Sequence, residues 1–385
     1  MQVKSWAGCG SMVLLLLCTA AHAQSSVTLY GLFDEGINFT NNAGGASAVQ
    51  MRSGDVTGSR IGIRGQEDLG GGYSAIFKLE NGFNPNNGAF GQGGLMFGRQ
   101  AYVGLSSDRL GTITLGRQYD PTVDMFSGLT AGGTWGGDVG AVPFDSDNTD
   151  LDFRINNAIK YVSPTFAGFS GEAMYAFSNT AGGFAANRVV SAAGQYQNGG
   201  LTAAVAYMRI DKPGMGSSGA LTSDSIFTGA MEENIDAGIG YKFDKANVAF
   251  AYSHAKVGGP TGNEYLSGSL TPANGGSWTS WQFDNFQING QYFFRPNVWL
   301  GASYTYTLGK LDSTAGNYSP KWHSVALTLG YDLRKSTTFY LQAAYQHVQS
   351  ANTGTQFDDA QFEASAGPSS TANQVVTRAA IIHRF

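Results

Sequence analysis

Cysteine, charge and long apolar runs are all scarce in this chain of 385 residues. Its two cysteines, Cys9 and Cys18, lie close to the N-terminus. Charged side chains account for 13% of the residues, whereas a soluble domain usually carries about 25%. Beyond residue 23 no apolar run approaches the ~20 residues that a membrane-spanning helix needs. These shortages argue against an ordinary soluble domain and against a helical membrane protein.

The first 23 residues are organised like a secretory signal peptide. A single charge at Lys4 precedes the apolar segment 12–18, and an A-x-A cleavage pattern occupies 21–23. We therefore expect export and removal of residues 1–23, which leaves residues 24–385 as one domain. Because both cysteines leave with the signal, we expect no disulfide, thiol nucleophile or cysteine metal site in the mature chain.

Glycine, aromatic residues and a two-residue alternation are abundant. Glycine contributes 54 residues, and aromatic residues make up 12% of the chain. In residues 26–39, Val27 and Leu29 share one face while Asp34 and Asn38 share the other, as in a β-strand with one apolar and one polar side. About sixteen such segments follow one another, many near the length that a tilted strand needs to cross a bilayer. The pattern predicts an all-β fold, a transmembrane antiparallel β-barrel of about sixteen strands.

The connections between these segments alternate between short and long. Short turns such as 68–72 and 163–168 contain Gly or Pro, and Tyr161 and Phe169 flank one of them, as in the aromatic girdle of a membrane barrel. The long connections are rich in Gly, Asn and Ser, and they comprise 41–55, 81–95, 210–232, 257–280 and 350–373. Short periplasmic turns and long outer loops are typical of such barrels. A β-propeller, the main soluble alternative, would show a blade repeat, and none is visible.

Residues 120–152 interrupt the alternation with a long stretch rich in Gly and Asp. The stretch also carries Phe126, Trp135 and Phe144, which are too apolar for a solvated tail. Long loops inside a compact domain are uncommon and are usually either functional or disordered. We predict that this loop packs inside the barrel lumen and narrows it with its carboxylates.

Several motifs, in order along the chain, resemble those of Gram-negative trimeric general diffusion porins. They are QSSVTLYG at 24–31, SRIGIRGQEDLG at 59–70, FGRQAYVGL at 97–105, LGRQY at 115–119 and the terminal HRF at 383–385. The resemblance spans the whole mature chain. It implies a sixteen-stranded barrel, a homotrimer and a third loop folded into the lumen. It also implies that the outer-membrane β-barrel assembly machinery recognises the terminal Phe385.

The resemblance further implies a pore constriction in which an arginine ladder on the wall faces carboxylates on the third loop. The positions that match the ladder are Arg60, Arg99 and Arg154. Residues on the lumenal side of their strands add Arg64, Lys78 and Lys160, with Glu80 beside them. The candidate carboxylates of the loop are Asp120, Asp124, Asp138, Asp145, Asp147, Asp150 and Asp152. Arg117 differs, because alternation with Ile113 and Leu115 directs it towards lipid or a neighbouring subunit.

These features predict a passive channel in the outer membrane for small hydrophilic solutes and ions. Basic groups on the wall and acidic groups on the loop would create a transverse field that polar solutes tolerate better than apolar ones. The same charges would pin the loop. We expect outer-membrane lipid and lipopolysaccharide as surroundings and no nucleic-acid partner. Ion preference, solute, pore size and the carboxylate at the narrowest point stay open.

Other functions and a bound ion remain alternatives. A porin selective for sugars or organic acids would show a line of aromatic side chains along the lumen. A rim enzyme or adhesin is a further alternative, but the histidines of the mature chain have no acid or serine motif beside them, and these are His254, His323, His347 and His383. No cofactor is expected, except that residues 145–152, with four Asp, could hold Ca²⁺ although they lack the Gly and terminal Glu of an EF-hand.

Overall fold

The computed structural model describes residues 25–216, 218–222 and 224–385. The predicted signal peptide, residues 1–23, lies outside the described residues. Within them, sixteen antiparallel strands form one closed barrel, as the alternation predicted. Two strands, β2 and β14, are each interrupted and have two segments. The strands are β1 (Ser26–Ala43), β2 (Ala46–Ser53 and Arg60–Gly70), β3 (Tyr73–Gly82), β4 (Gln100–Ser107), β5 (Gly111–Gln118), β6 (Ile155–Val162), β7 (Phe169–Ala176), β8 (Arg188–Asn198), β9 (Leu201–Asp211), β10 (Met231–Lys242), β11 (Ala246–Gly258), β12 (Trp278–Arg295), β13 (Val298–Ser313), β14 (Gly316–Tyr318 and Lys321–Arg334), β15 (Thr337–Gln349) and β16 (Asn373–Arg384).

The barrel closes because the first and last strands pair with each other. β16 pairs with β1 from Leu32 opposite Arg384 to Thr40 opposite Val376. The other edge of β1 pairs with both segments of β2. A closed ring leaves no strand edge in the bilayer, where an unpaired backbone group would be costly.

The two faces of each strand separate by polarity. In β1, Val27 and Leu29 expose 68% and 61% of their surface to the outside, whereas Asp34 and Asn38 point inwards and are fully buried. The apolar outer face is the one that lipid covers in a membrane barrel. Within the described ranges, none of the helices has the length and apolarity needed to cross a bilayer.

The connections differ between the two ends of the barrel, as expected. Short turns at one end span 71–72, 108–110, 163–168, 199–200, 243–245, 296–297 and 335–336. Longer connections at the other end span 83–99, 119–154, 177–187, 212–230, 259–277 and 350–372. Aromatic side chains lie exposed at the short-turn end, among them Phe166 and Phe169.

One predicted long loop, 41–55, is instead mostly strand. β1 continues to Ala43 and β2 starts at Ala46, and the two are joined by Gly44 and Gly45, whose φ angles are 63° and 102°. Two successive residues with positive φ make a tight hairpin turn, which glycine adopts without strain. Arg52 consequently lies on a strand of the barrel wall and not in a loop.

The connection between β5 and β6, residues 119–154, folds into the lumen as predicted; we name it the constriction loop. It begins with the helix α1 (Pro121–Met125) and then crosses to the far wall. There Gln287 accepts a hydrogen bond from the amide of Ala131 (2.6 Å) and donates one to the carbonyl of Gly140 (3.0 Å), and Gln342 donates to Gly136 (2.8 Å). Trp135 lies against Gly301, where a Cβ would come within 2.5 Å of its ring. Side chains of the barrel wall therefore supply hydrogen-bond partners for backbone groups of the loop, which are not paired with a β-strand.

An apolar cluster fills the lumen on one side beneath the outer loops. Phe144 of the constriction loop packs on Phe357 with ring centroids 5.2 Å apart, and Trp281 packs on Phe357 at 5.0 Å. These side chains, with Trp322 and Phe283, are at most 5% exposed. The cluster is consequently a core that holds the loops together.

The last residue, Phe385, extends β16 and gives a first prediction. Its backbone exchanges two hydrogen bonds with Gly31, both 3.0 Å, and its ring is 54% exposed. Deletion of Phe385 should lower the yield of folded protein in the outer membrane, because the closing strand loses both bonds and the resemblance assigns the terminal aromatic to assembly. Heat-modifiable mobility in gels of outer-membrane fractions measures this yield. Phe294→Ala, at an equally exposed strand end (56%), should keep a normal yield, and a normal yield after the deletion would refute the assignment.

Candidate functional site

Two cavities beside the constriction loop form the passage through the lumen. The outer cavity, of about 660 Å³, is bordered by the loop and by the wall that carries Arg60 and Arg99. The inner cavity, of about 670 Å³, reaches the short turns of the barrel. The residues that line both cavities are Val56, Thr134 and Arg384. We infer that the cavities meet there, between the tip of the loop and the wall.

A buried carboxylate holds the wall segment with Val56 inside the barrel. The segment 54–59 separates the two parts of β2, and the amides of Val56 and Thr57 donate to Asp34 at 2.8 and 3.0 Å. Asp34 is in turn paired with Arg378 (3.0 Å) and accepts from Tyr340 (2.6 Å). Sequence reasoning missed this network, although alternation along β16 places Arg378 and Arg384 on the lumenal face.

The predicted ladder arginines lie together on the wall of the outer cavity. Arg99 donates to Glu80 (3.0 Å) and to the hydroxyl of Tyr119 (2.8 Å). Arg154 donates to the same hydroxyl (2.6 Å), and its guanidinium stacks 4.8 Å from the centre of the Tyr119 ring. Tyr119 therefore separates two guanidinium groups and lets both stay in one small volume.

Three further predicted cations follow the same wall. Arg60 donates to Thr57 (3.2 Å), Arg64 lies 5.6 Å from the centre of the Tyr30 ring, and Lys78 is 3.6 Å from Glu80. Within the described ranges no carboxylate oxygen comes within 4.0 Å of a nitrogen of Arg60, Arg64 or Arg384. These groups are free to interact with a passing ion.

Two loop carboxylates face the basic wall and pin the constriction loop. Asp124 pairs with Lys160, whose ammonium also lies 3.8 Å from Glu172. Asp138 pairs with Arg52 (2.8 Å), which also bonds Asp55 (2.8 Å). Sequence reasoning missed Arg52 because it assigned this residue to a long outer loop.

Asp120 and Asp147, by contrast, form no ion pair with the predicted arginines within the described residues. Asp120 accepts from the amide of Thr122 (2.9 Å) as the N-cap of α1 and from Asn148 (3.0 Å). Asp147 accepts from Ser253 (2.5 Å) and from Thr149. Both are buried, because a loop inside a barrel needs acceptors for its own backbone amides. The prediction that they oppose the arginines is corrected.

The remaining loop carboxylates face each other. The carboxylate oxygens of Asp145, Asp150 and Asp152 approach within 4.8 Å of one another, and those of Asp138, Asp150 and Glu363 do the same. Burial and the charge of Asp150 raise the pKa of Asp145 and of Glu363, and they raise the pKa of Asp152 to about 7. This acidic cluster borders the outer cavity and includes Glu363 from the loop 350–372, which sequence reasoning did not connect with the pore.

Arg117 does not face lipid as its alternation suggested. It is buried, pairs with Asp224 (2.5 Å) and donates to the carbonyl of Gly98 (2.7 Å). The pairing of β5 with β6 is irregular between Gly116 and Gln118, and Gly116 has a φ of 135°. Because one residue interrupts the regular pairing, the side chain that follows points to the other face of the strand. The two-residue alternation therefore mispredicts the direction of Arg117.

Comparisons with known proteins agree with this architecture. A sequence model described as Gram-negative porin matches residues 10–352. An outer membrane porin protein of Bordetella pertussis is 30% identical over 356 residues, which covers 85% of this chain and 90% of that protein. The solved structure of the anion-selective porin from Comamonas acidovorans superposes with a TM-score of 0.72 at 24% identity, over 94% of this chain and 100% of that chain. The trimer form of OmpT from Vibrio cholerae superposes with a TM-score of 0.63 at 15% identity, over 94% and 99%.

The barrel, its inserted third loop and the family match give one consistent answer. The chain belongs to the Gram-negative porin family and is an outer-membrane channel through which small hydrophilic solutes and ions diffuse passively.

Proposed function

We propose that this porin conducts small anions in preference to cations. The observation that carries the proposal is the presence of guanidinium groups without an ion-pair partner, in the described part of the chain, on the wall of the passage, two of which, Arg60 and Arg384, line the outer cavity. Arg60, Arg64 and Arg384 lack a carboxylate partner within the described ranges, and Arg384 lies where the two cavities meet. A chloride ion therefore meets unpaired positive charge at the narrow part of the route.

Three carboxylates close to the passage are each paired with a cation of the wall. Glu80 is paired with Arg99, Asp124 with Lys160 and Asp138 with Arg52. In the acidic cluster, the oxygens of Asp145 and Asp150 are inaccessible to solvent. Carboxylates that are already paired with a wall cation add little attraction for a permeating cation. Local charge at the narrow part then outweighs the net charge of −5 of the whole chain, because salt screens distant charges.

A structurally similar porin supports anion preference, and a Coulomb estimate shows that two arginines suffice to produce it. The Comamonas acidovorans protein is described as an anion-selective porin, and its likeness to this chain shows the fold alone. A unit charge about 6 Å from an ion changes its energy by roughly 0.7 kcal/mol in water, or about threefold in occupancy. Two unpaired arginines are therefore enough to set a measurable preference.

Neutralising the unpaired wall arginines tests the proposal. Arg60→Gln combined with Arg64→Gln should lower the chloride-to-potassium permeability ratio by roughly threefold to tenfold, because the lumenal wall loses two positive charges that have no ion-pair partner within the described residues. Reversal potentials across a planar bilayer in a salt gradient measure the ratio.

The matched control removes the same charge outside the pore. Arg109→Gln with Lys245→Gln changes two cations in the short turns 108–110 and 243–245. The control should leave the reversal potential unchanged. An unchanged potential in the Arg60 and Arg64 variant, or cation preference in the wild type, would refute the proposal.

Arg99 is expected to act mainly as a structural partner of Glu80. Their side chains are 5% and 3% exposed, and removing one member of a buried pair costs about 3–5 kcal/mol. Arg99→Gln should therefore lower the urea concentration at which the folded form disappears from heat-modifiability gels. Adding Glu80→Gln to this variant should restore most of the lost resistance to urea. A single Arg99→Gln variant as stable as the wild type would show that Arg99 serves only the ion path.

We also infer that the working channel is a homotrimer, inserted by the β-barrel assembly machinery and surrounded by lipid and lipopolysaccharide. The family resemblance and the trimer form of the Vibrio cholerae neighbour support this state. Native mass spectrometry of the detergent-extracted protein should give three times the mass of the mature chain. A single-chain mass in mild detergent would contradict the trimer.

The other functions considered have less support. The lumenal aromatic cluster around Phe357 is buried under the loops, so it offers no line of rings along the passage to a sugar or organic acid. His254, for which no acidic neighbour was expected, lies 2.8 Å from Asp284. Both belong to the outer face of the barrel, because their chain neighbours Ala255 and Phe283 point into the core. We therefore assign no catalytic role to this pair, in keeping with membership of a channel family.

A further inference from the structure

The acidic cluster contains more negative charge than its surroundings balance. Its five carboxylates come from two loops, the constriction loop and the loop 350–372, and they are Asp138, Asp145, Asp150, Asp152 and Glu363. Asp138 has Arg52 as an ion-pair partner. Within the described ranges no lysine or arginine nitrogen lies within 4.0 Å of the other four carboxylates. Close like charges of this kind are unfavourable unless a cation or protons intervene.

Asp145 supplies the observation that separates this cluster from an ordinary acidic surface. Its side chain is 1% exposed, and neither carboxylate oxygen accepts a hydrogen bond from a described donor. Both oxygens of Asp150 are likewise buried and unbonded. A buried carboxylate without a donor is costly, since it has lost water and gained nothing in exchange. Asp145 is nevertheless directed at Asp150 and Asp152.

We propose that this cluster binds one divalent cation, specifically Ca²⁺, through the carboxylates of Asp145, Asp150 and Asp152, with Asp138 and Glu363 completing the set. Carboxylate oxygens are the ligands that Ca²⁺ prefers, at 2.3–2.6 Å, and a flexible ligand set suits it better than the strict octahedron of Mg²⁺. Ligand oxygens around such an ion lie up to about 5 Å apart, and the oxygens of each group lie within 4.8 Å.

The surroundings of the cluster favour an ion at this place. Asp138, Asp150, Asp152 and Glu363 border the outer cavity, which gives a hydrated ion a route from the outer end of the barrel. Tyr265 also borders this cavity, with its hydroxyl bonded to Asp152 and 3.1 Å from Glu363. Glu363 also accepts from the amide of Asp145 (3.0 Å), so the two loops already meet there.

Only some of the aspartates in the segment 145–152 belong to the acidic cluster. Asp147 belongs to this acid-rich segment but points away, since Ser253 and Thr149 occupy its oxygens. The predicted ligands are thus not consecutive acids of one loop. They join two parts of the constriction loop to the loop 350–372, so that the ion would stiffen the constriction whatever ions the pore prefers.

Calcium binding to the purified full chain tests this site directly. Calorimetric titration of chelator-treated protein in detergent with CaCl₂ should give one ion per chain, with a Kd of about 10⁻⁴ to 10⁻³ M as in extracellular calcium modules. Tb³⁺, which substitutes for Ca²⁺, should show luminescence sensitised by nearby aromatic rings such as Tyr265, and excess Ca²⁺ should quench it. A wild-type protein that binds neither ion would overturn the proposal.

Matched substitutions in one segment identify the ligands. Asp150→Asn, at the position shared by both groups of acids, should weaken Ca²⁺ binding on the order of tenfold or more. Asp147→Asn, an identical change three residues away, should leave the affinity within about twofold. Heat-modifiable mobility confirms that each variant is folded. Equal affinities for the wild type and folded Asp150→Asn, or an equal loss in both variants, would overturn the ligand assignment.

Discussion

The structure depends on one constraint, namely that a long loop lies inside a barrel and must find partners for its polar groups there. Residues 119–154 contain little regular structure, so their amides and carbonyls bond to side chains of the wall, such as Gln287 and Gln342. Buried backbone groups without partners would cost more than such a loop could recover from apolar contacts. Many polar side chains of the lumen therefore bond to the constriction loop and are not available to a solute.

This constraint divides the charged residues into two groups. Arg52 and Lys160 hold the loop through Asp138 and Asp124, and Arg99 is occupied by Glu80. Arg60 and Arg64 sit on the same wall without such partners. The attraction that a permeating ion experiences therefore depends on which lumenal charges are paired, and a count of acids and bases along the pore would misjudge it.

The acidic cluster follows from the same insertion. Folding the constriction loop beneath the loop 350–372 brings Asp145 and Asp150 next to Glu363 and away from water. Aromatic packing of Phe144 on Phe357 holds the two loops at this distance. The geometry that closes one side of the lumen thus also concentrates negative charge, which a bound cation would relieve.

Alternation of polar and apolar residues is a local property, and for this reason the sequence by itself determined the strands and their lipid-facing side. The apolar residues of 120–152 predicted the inserted loop, and the family resemblance predicted that Arg60, Arg99 and Arg154 lie on the lumenal wall. Sequence reasoning failed for 41–55, where two glycines make a hairpin, and for Arg117, where one irregular residue changes the direction of a side chain. The partners of the charges were decided only by the tertiary structure. Arg52 and Asp138 are 86 positions apart, and Asp145 and Glu363 are 218 apart, so their contacts depend on how separate loops pack inside a closed ring.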